Sequence, residues 1–178
     1  MSQETLTSTG SRPPRQQSMI QRMVGAALLK VDTYEEVEAD RSATKQAAAV
    51  VVVVAVARAI GTADRGSVGI VAAVIAAVVG WLLWAGITYV IGDKILGGTA
   101  TWGELLRTIG FAQTPGIALL LGFIPVLGGV LALVVGIWVL IAGVVAIRQA
   151  LDFGTGKAIV TAVLGWLVIA IPLALLGR

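Results

Sequence analysis

The chain has 178 residues, 57% of them hydrophobic and 13% charged, with a formal net charge of +3 and neither Cys nor His. A soluble domain carries about 25% charged residues, so this composition is that of a membrane protein and excludes a large extramembrane domain. The missing residue types exclude disulfides, thiolate or imidazole metal sites, haem-ligating His and a Ser-His-Asp triad, which leaves carboxylate, Lys, Ser/Thr and Tyr chemistry; no cofactor, no metal and no catalytic residue is expected. The basic balance, with an isoelectric point near 9.7, comes without any Lys/Arg cluster. It therefore points to charges at a membrane border, with the lipid bilayer as partner and no nucleic acid.

The expected fold is all-α: a polytopic transmembrane helical bundle of about five spans behind amphipathic N-terminal helices. Residues 1–17 are rich in Ser, Thr, Pro, Gln and Arg and read as a disordered cytoplasmic tail. No apolar run occurs before Ala47, so no cleaved signal is expected. Residues 18–41 read as amphipathic cytoplasmic or interfacial helices. Over Ser18–Val31, Ile20, Met23, Val24, Ala27, Leu28 and Val31 recur at i, i+3, i+4 spacing, and Ser18 with Gln21 has the form of a capping box. Asp32 with Glu35 repeats that start signal for a short acidic helix. Two readings stand for the first helix: a membrane-surface or partner-binding element, or one that packs under the spans.

Residues 42–178 form the transmembrane domain, with spans at about 42–61, 68–92, 109–123, 126–147 and 158–176. The first is bordered by Lys45 and Arg58, whose long side chains can snorkel; the second is a long uncharged run. In the second, Gly69, Ala73 and Ala77 form one row of small residues and Ala72, Ala76 and Gly80 the next, the pattern by which spans pack closely. Packing within the chain is the first expectation for these rows; a second copy or another membrane protein is the alternative. Thr101 with Glu104 opens a short helix expected to rest in the interface with Trp102 at headgroup depth.

Residues 109–147 are uncharged for too long to cross once, and the break is written at Ile124-Pro125-Val126-Leu127-Gly128-Gly129. Pro115 should kink or delay the third span. A re-entrant third segment would instead place both chain termini on one side. Trp81, Trp84, Trp138 and Trp166 fall near mid-segment, where they should fill space between helices and seek partners for their indole N–H groups. Gly154-Thr155-Gly156-Lys157-Ala158 lacks the first Gly and the Ser/Thr of a phosphate loop and reads as a helix start. Glu104, Arg107, Arg148, Asp152 and Lys157 gather near one border, as an interfacial ion-pair cluster controlling insertion rather than a catalytic set. The Lys/Arg bias puts Lys30, Arg41, Lys45, Lys94, Arg107, Arg148 and Lys157 inside and Arg58, Arg65 and Arg178 outside, giving a cytoplasmic N-terminus and an external C-terminus.

The string Thr101-Trp-Gly-Glu-Leu-Leu-Arg-Thr-Ile-Gly-Phe-Ala-Gln-Thr-Pro115, the Ile124–Gly129 turn, Ile137-Trp-Val-Leu, Ala146-Ile-Arg-Gln-Ala-Leu and Gly156-Lys-Ala, in this order and spacing, resemble the Yip-type (Ypt/Rab-interacting protein) domain family in its prokaryotic branch. The resemblance runs from about Met19 to Leu176. It implies a five-span bundle with a cytoplasmic N-terminus in a bacterial plasma membrane, and it offers no catalytic residues. Eukaryotic members are trafficking adaptors that contact small GTPases, a role the short tail here does not extend to this chain. The function expected is that of a non-enzymatic membrane adaptor or organiser. The alternative is a small-solute transporter or channel built on the Pro/Gly-broken third segment.

Overall fold

The computed structural model describes residues 17–63, 69–124 and 127–176, except for the side chains of Trp166 and of residues 169–176. Residues 1–16 of the expected disordered tail, Arg65, Pro125 and Arg178 lie outside these residues, as do the side chains of Trp166 and Pro172. Among the described residues all regular structure is helical. The helices are α1 (Met19–Ala27), α2 (Val31–Ala39), α3 (Ala43–Gly61), α4 (Ile70–Tyr89), α5 (Trp102–Ala112), α6 (Leu127–Ala150) and α7 (Thr155–Leu176). A π-helical turn, Val90–Ile95, prolongs α4, and a 3-10 segment, Thr114–Phe123, prolongs α5.

Four of these rods are long and apolar enough to cross a bilayer: Ala43–Gly61, Ile70–Ile95, Trp102–Phe123 and Leu127–Ala150. In α7 the stretch Thr155–Gly165 is also apolar, so about five spans agrees with the architecture. The second span runs to Ile95 rather than to residue 92. There Asp93 pairs with Lys94 at 2.7 Å, and the Lys94 ammonium lies 5.0 Å from the centre of the Tyr89 ring.

The third span corrects the sequence reading. Instead of an interfacial helix followed by a short span, α5 and its 3-10 segment form one rod, about 36 Å long by helical rise, which is enough for a full crossing. Pro115 explains the change of winding. In an α-helix its nitrogen would have to donate to the Phe111 carbonyl, which proline cannot do. The Thr114 hydroxyl donates to that carbonyl instead at 2.6 Å, and the Gly116 N–H closes a tighter turn on the Gln113 carbonyl at 2.8 Å.

This rod is the centre of the bundle, and it runs parallel to α3. Gly110 faces Ala47, Gly116 faces Val54, and Gly122 faces Gly61, in register along both helices. A Cβ added at Gly61 would overlap the Leu119 carbonyl oxygen, so this pair of backbones touches because neither side chain intervenes. Leu105, Ile109 and Phe111 are fully buried in the shared core with Val50, Ile147 and Leu151. Trp81 ties α4 to the same rod, its indole N–H donating to the Leu106 carbonyl at 3.0 Å. With α3 and the third rod parallel, each new rod begins where the previous one ends, and the two ends of the bundle separate α2 from the Phe123 turn.

Both capping boxes form as read. Gln21 and Ser18 bond reciprocally at 2.9 and 3.3 Å, and so do Glu104 and Thr101 at 2.7 and 3.3 Å. The expected cap at Asp32 does not form. The chain turns at Leu28–Lys30, with Leu29 in the left-handed region at φ 59°, and α2 begins at Val31 with Lys30 as a cap that makes no side-chain bond. The expected helix over Ser18–Val31 is therefore cut at Ala27, and α1 and α2 form a hairpin.

Candidate functional site

The hairpin is where the sequence reading and the structure diverge most. Its first helix does not turn its apolar face under the spans: Ile20, Val24 and Leu28 are 73%, 53% and 58% exposed, whereas Arg22 is 1% exposed. The Arg22 guanidinium lies 2.9 Å from Glu36 and 2.7 Å from Asp40, and it also donates to the Gln46 side chain at 3.1 Å. One cation thus joins α1, α2 and the first turn of α3. Burial pulls the Arg22 pKa down, but the hydrogen bonds and charges of Asp40 and Glu36 outweigh that and hold it above its ordinary value. Asp40 is held below the carboxylate range by its bonds to Ser42 and Arg22. Small residues close the hairpin: Gly25 packs on Thr33, and the Tyr34 hydroxyl donates to the Ala26 carbonyl at 3.1 Å. Burial also pushes the Tyr34 phenol well above its ordinary pKa. A lone Arg among apolar residues followed by four acidic residues in α2 was the available signal for this clamp.

Arg107 makes the second fastening. It is buried on α5, and its guanidinium donates to the carbonyl oxygens of Val37 and Glu38 at the end of α2. These carbonyls end a short helix and have no helical donors of their own, so the cation satisfies them. Beyond the anchoring expected of it, Arg107 works inside the fold, fastening the end of α2 to α5. The expected ion-pair cluster of Glu104, Arg107, Arg148, Asp152 and Lys157 does not form among the described residues. Glu104 is engaged in its capping box, Asp152 accepts from the Thr99 hydroxyl at 2.8 Å, Lys157 donates to the Leu96 carbonyl at 3.2 Å, and Arg148 is exposed. Trp102 is half exposed beside Gly86.

At this end of the bundle α2, α5 and the α6–α7 loop enclose a bowl of about 320 Å³ lined by Glu35, Glu38, Glu104, Gln149 and Asp152. Burial, and then the charges of Glu104 and Asp152, push the Glu38 carboxyl up to about 7 against the opposing pull of Arg107. Gln149 donates to Glu35 at 3.1 Å across the rim. Among the described residues no group of Asp or Glu stands close enough together to hold a metal ion.

The small-residue rows of α4 are only partly taken up within the chain. Gly69, Ala72 and Ala76 are exposed, a Cβ on Gly69 or Gly80 would meet nothing within 4 Å, and Ala73 and Ala77 are only partly covered. Ala77 packs on the core and Gly80 borders α3, so packing within the chain takes up part of these rows and leaves Gly69, Ala72 and Ala76 open. The close contacts are made elsewhere: the Trp84 ring sits between Gly143 of α6 and Gly165 of α7, and Gly92 and Gly98 receive Leu151. Trp84 and Thr88 each keep a buried polar atom with no hydrogen-bond partner among the described residues. Of the break residues, Pro115 and Gly128 are buried and Gly129 is exposed.

An all-helical bundle with these rods, apolar outward surfaces and, among the described residues, charges gathered toward the helix ends and loops defines a polytopic α-helical membrane protein. The Yip1 domain family model matches residues 28–176, and the chain belongs to that family. No curated protein and no solved structure matches it.

Proposed function

We propose that the chain is a non-enzymatic adaptor or organiser in a bacterial plasma membrane, with its N-terminus in the cytoplasm. It would work through α1–α2 and through packing of α4 against a second copy or another membrane protein. The observation that carries this reading is the exposed, small-residue first half of α4. In lipid, apolar side chains gain nothing from one another by burial, and rows of Gly and Ala are how backbones approach closely enough to associate. Here Gly69, Ala72 and Ala76 of those rows are exposed, and among the described residues nothing lies within 4 Å of a Cβ built on Gly69 or Gly80. The charged residues support a non-catalytic role, because Arg22, Arg107 and Glu104 are engaged in fastening helices.

Because the chain has no Cys, single substitutions Ala72→Cys and Ala76→Cys give unique crosslinking sites. Oxidative crosslinking in native membranes should trap a membrane-protein partner or a dimer from these positions and not from Leu140→Cys on α6. Absence of any adduct at both α4 positions would sink the reading. A small-solute transporter or channel is the second reading. It draws on a groove of about 230 Å³ between α3 and α4, lined by Arg58, Gly80 and Trp81, where Gln113 stands at the junction of α5 and its 3-10 segment. Saturable flux in reconstituted vesicles that is lost in Gln113→Leu would favour it.

A further inference from the structure

We infer that α1 is immersed in the acyl chains of one leaflet, the leaflet at the α2 end of the bundle, underneath a water-facing α2. The ligand of its outer face is lipid hydrocarbon rather than a protein. Neither the adaptor nor the transporter reading is needed for this. Four observations place the helix.

The first is polarity. In water a helix with this sequence would turn Ile20, Val24 and Leu28 to the protein and Arg22 to solvent. It does the opposite, with Arg22 the least exposed of the four. Exposing three large aliphatic side chains while a guanidinium is buried is favourable only if the outside is hydrocarbon. There the cation is costly unless paired, and it is paired with Glu36 and Asp40.

The second is depth along α6. Glu35 of α2 meets Gln149 near the end of α6, beside the charges of Arg148 and Asp152. The α1 carbonyl of Ala27 instead accepts from the Trp138 indole at 2.8 Å. Trp138 stands about 16 Å along α6 from Gln149, in the run of exposed Val134, Ile137 and Ile141 that forms the lipid-facing side of that span. A hydrocarbon leaflet is about 15 Å deep.

The third is the neighbour on the other side: α1 packs on the Thr114–Phe123 segment, which lies inside the third span beyond Ala112. The fourth is the sorting of charge between the two helices. On α2 the exposed side chains include Asp32 and Glu35, and Lys30 at the turn is exposed as well. The exposed apolar face of α1 is thus continuous with the lipid-facing surface of α6, and the charged face of the hairpin belongs to α2.

The test uses the full chain, its freedom from Cys, and four single variants: Ile20→Cys, Val24→Cys, Leu28→Cys and, as the water-facing reference, Glu35→Cys. Each is labelled with a small thiol-reactive fluorophore and reconstituted in phosphatidylcholine vesicles. Labels at Val24 and Leu28 should shift to the blue and lose intensity when the acyl chains carry bromine. They should ignore aqueous iodide, which quenches the label at Glu35. Ile20, next to the capping box, should be the shallowest of the three by comparison of lipids brominated near the headgroup and near mid-chain. Iodide quenching at Val24 and Leu28 equal to that at Glu35 would place the face in water and overturn the inference. Quenching by neither agent would mean that protein covers it, and would overturn it equally. Neither result bears on crosslinking from α4, so failure here and failure of the adaptor reading remain distinguishable.

Discussion

Replacing Arg22 by Met removes the cation and keeps the length of the side chain. Two carboxylates then lose their partner: Asp40, whose side chain is 14% exposed, and Glu36, at 25%. Breaking a fully buried ion pair by deleting one member costs about 3 to 5 kcal/mol, and an exposed pair about 0 to 1 kcal/mol. The partial exposure of both acids places this case between them, so Arg22→Met is expected to destabilise the fold by about 2 to 3 kcal/mol. Arg22→Lys keeps the charge but cannot reach Glu36, Asp40 and Gln46 at once, and should cost about half as much. The triple variant Arg22→Met, Glu36→Gln, Asp40→Asn leaves no unpaired charge and should recover most of the loss. Unfolding of purified protein in mixed micelles, followed by tryptophan emission, gives these differences directly. A loss below about 0.5 kcal/mol for Arg22→Met, or a triple variant no better than the single, would refute the claim that one buried cation holds the hairpin to α3.

Three further outcomes follow from the geometry. The folded chain holds the Glu38 proton up to about pH 7, against an ordinary value of 4.5, so over that interval it binds more protons than the unfolded chain. Its stability should therefore fall as pH rises through this window, by about 1 kcal/mol once solvent screening of the half-buried group is allowed for; Glu38→Gln should flatten the profile in pH-dependent unfolding. Gly61→Val forces a side chain against the Leu119 carbonyl and should cost about 2 kcal/mol or more, while Gly80→Ala, where a Cβ meets nothing, should be neutral or gain up to about 1 kcal/mol from helix propensity; equal costs for the two in detergent would refute the register of α3 on the third span. Thr114→Val leaves the Phe111 carbonyl without its donor and should cost about 1 kcal/mol, with Thr114→Ser near wild type in the same assay.

What was legible in the sequence was local or solvent-driven. Long uncharged runs announced the spans because each must satisfy its backbone inside a single helix. Ser18/Gln21 and Thr101/Glu104 announced their helix starts because a capping box closes over three residues. The order and spacing of short strings announced the family. Tertiary structure decided what those local signals left open. Periodicity says that α1 has an apolar face but not whether protein or lipid meets it, and the deciding partners of Arg22 lie 14, 18 and 24 residues away in Glu36, Asp40 and Gln46. Small residues at helical spacing say that a helix can be approached closely. Only the packing shows that Gly110, Gly116 and Gly143 are closely approached within the chain, whereas Gly69 and Gly80 of α4 are not approached by any described residue. Pro115 said that the α-helix must change, and only the Thr114 hydroxyl and the parallel run beside α3 show that the rod continues across instead of turning back. The physical reason is common to all of these. In a bilayer apolar surface is at ease against lipid or against protein, so composition fixes which segments enter the membrane, and close backbone contact and the pairing of a few buried polar groups decide how they are arranged there.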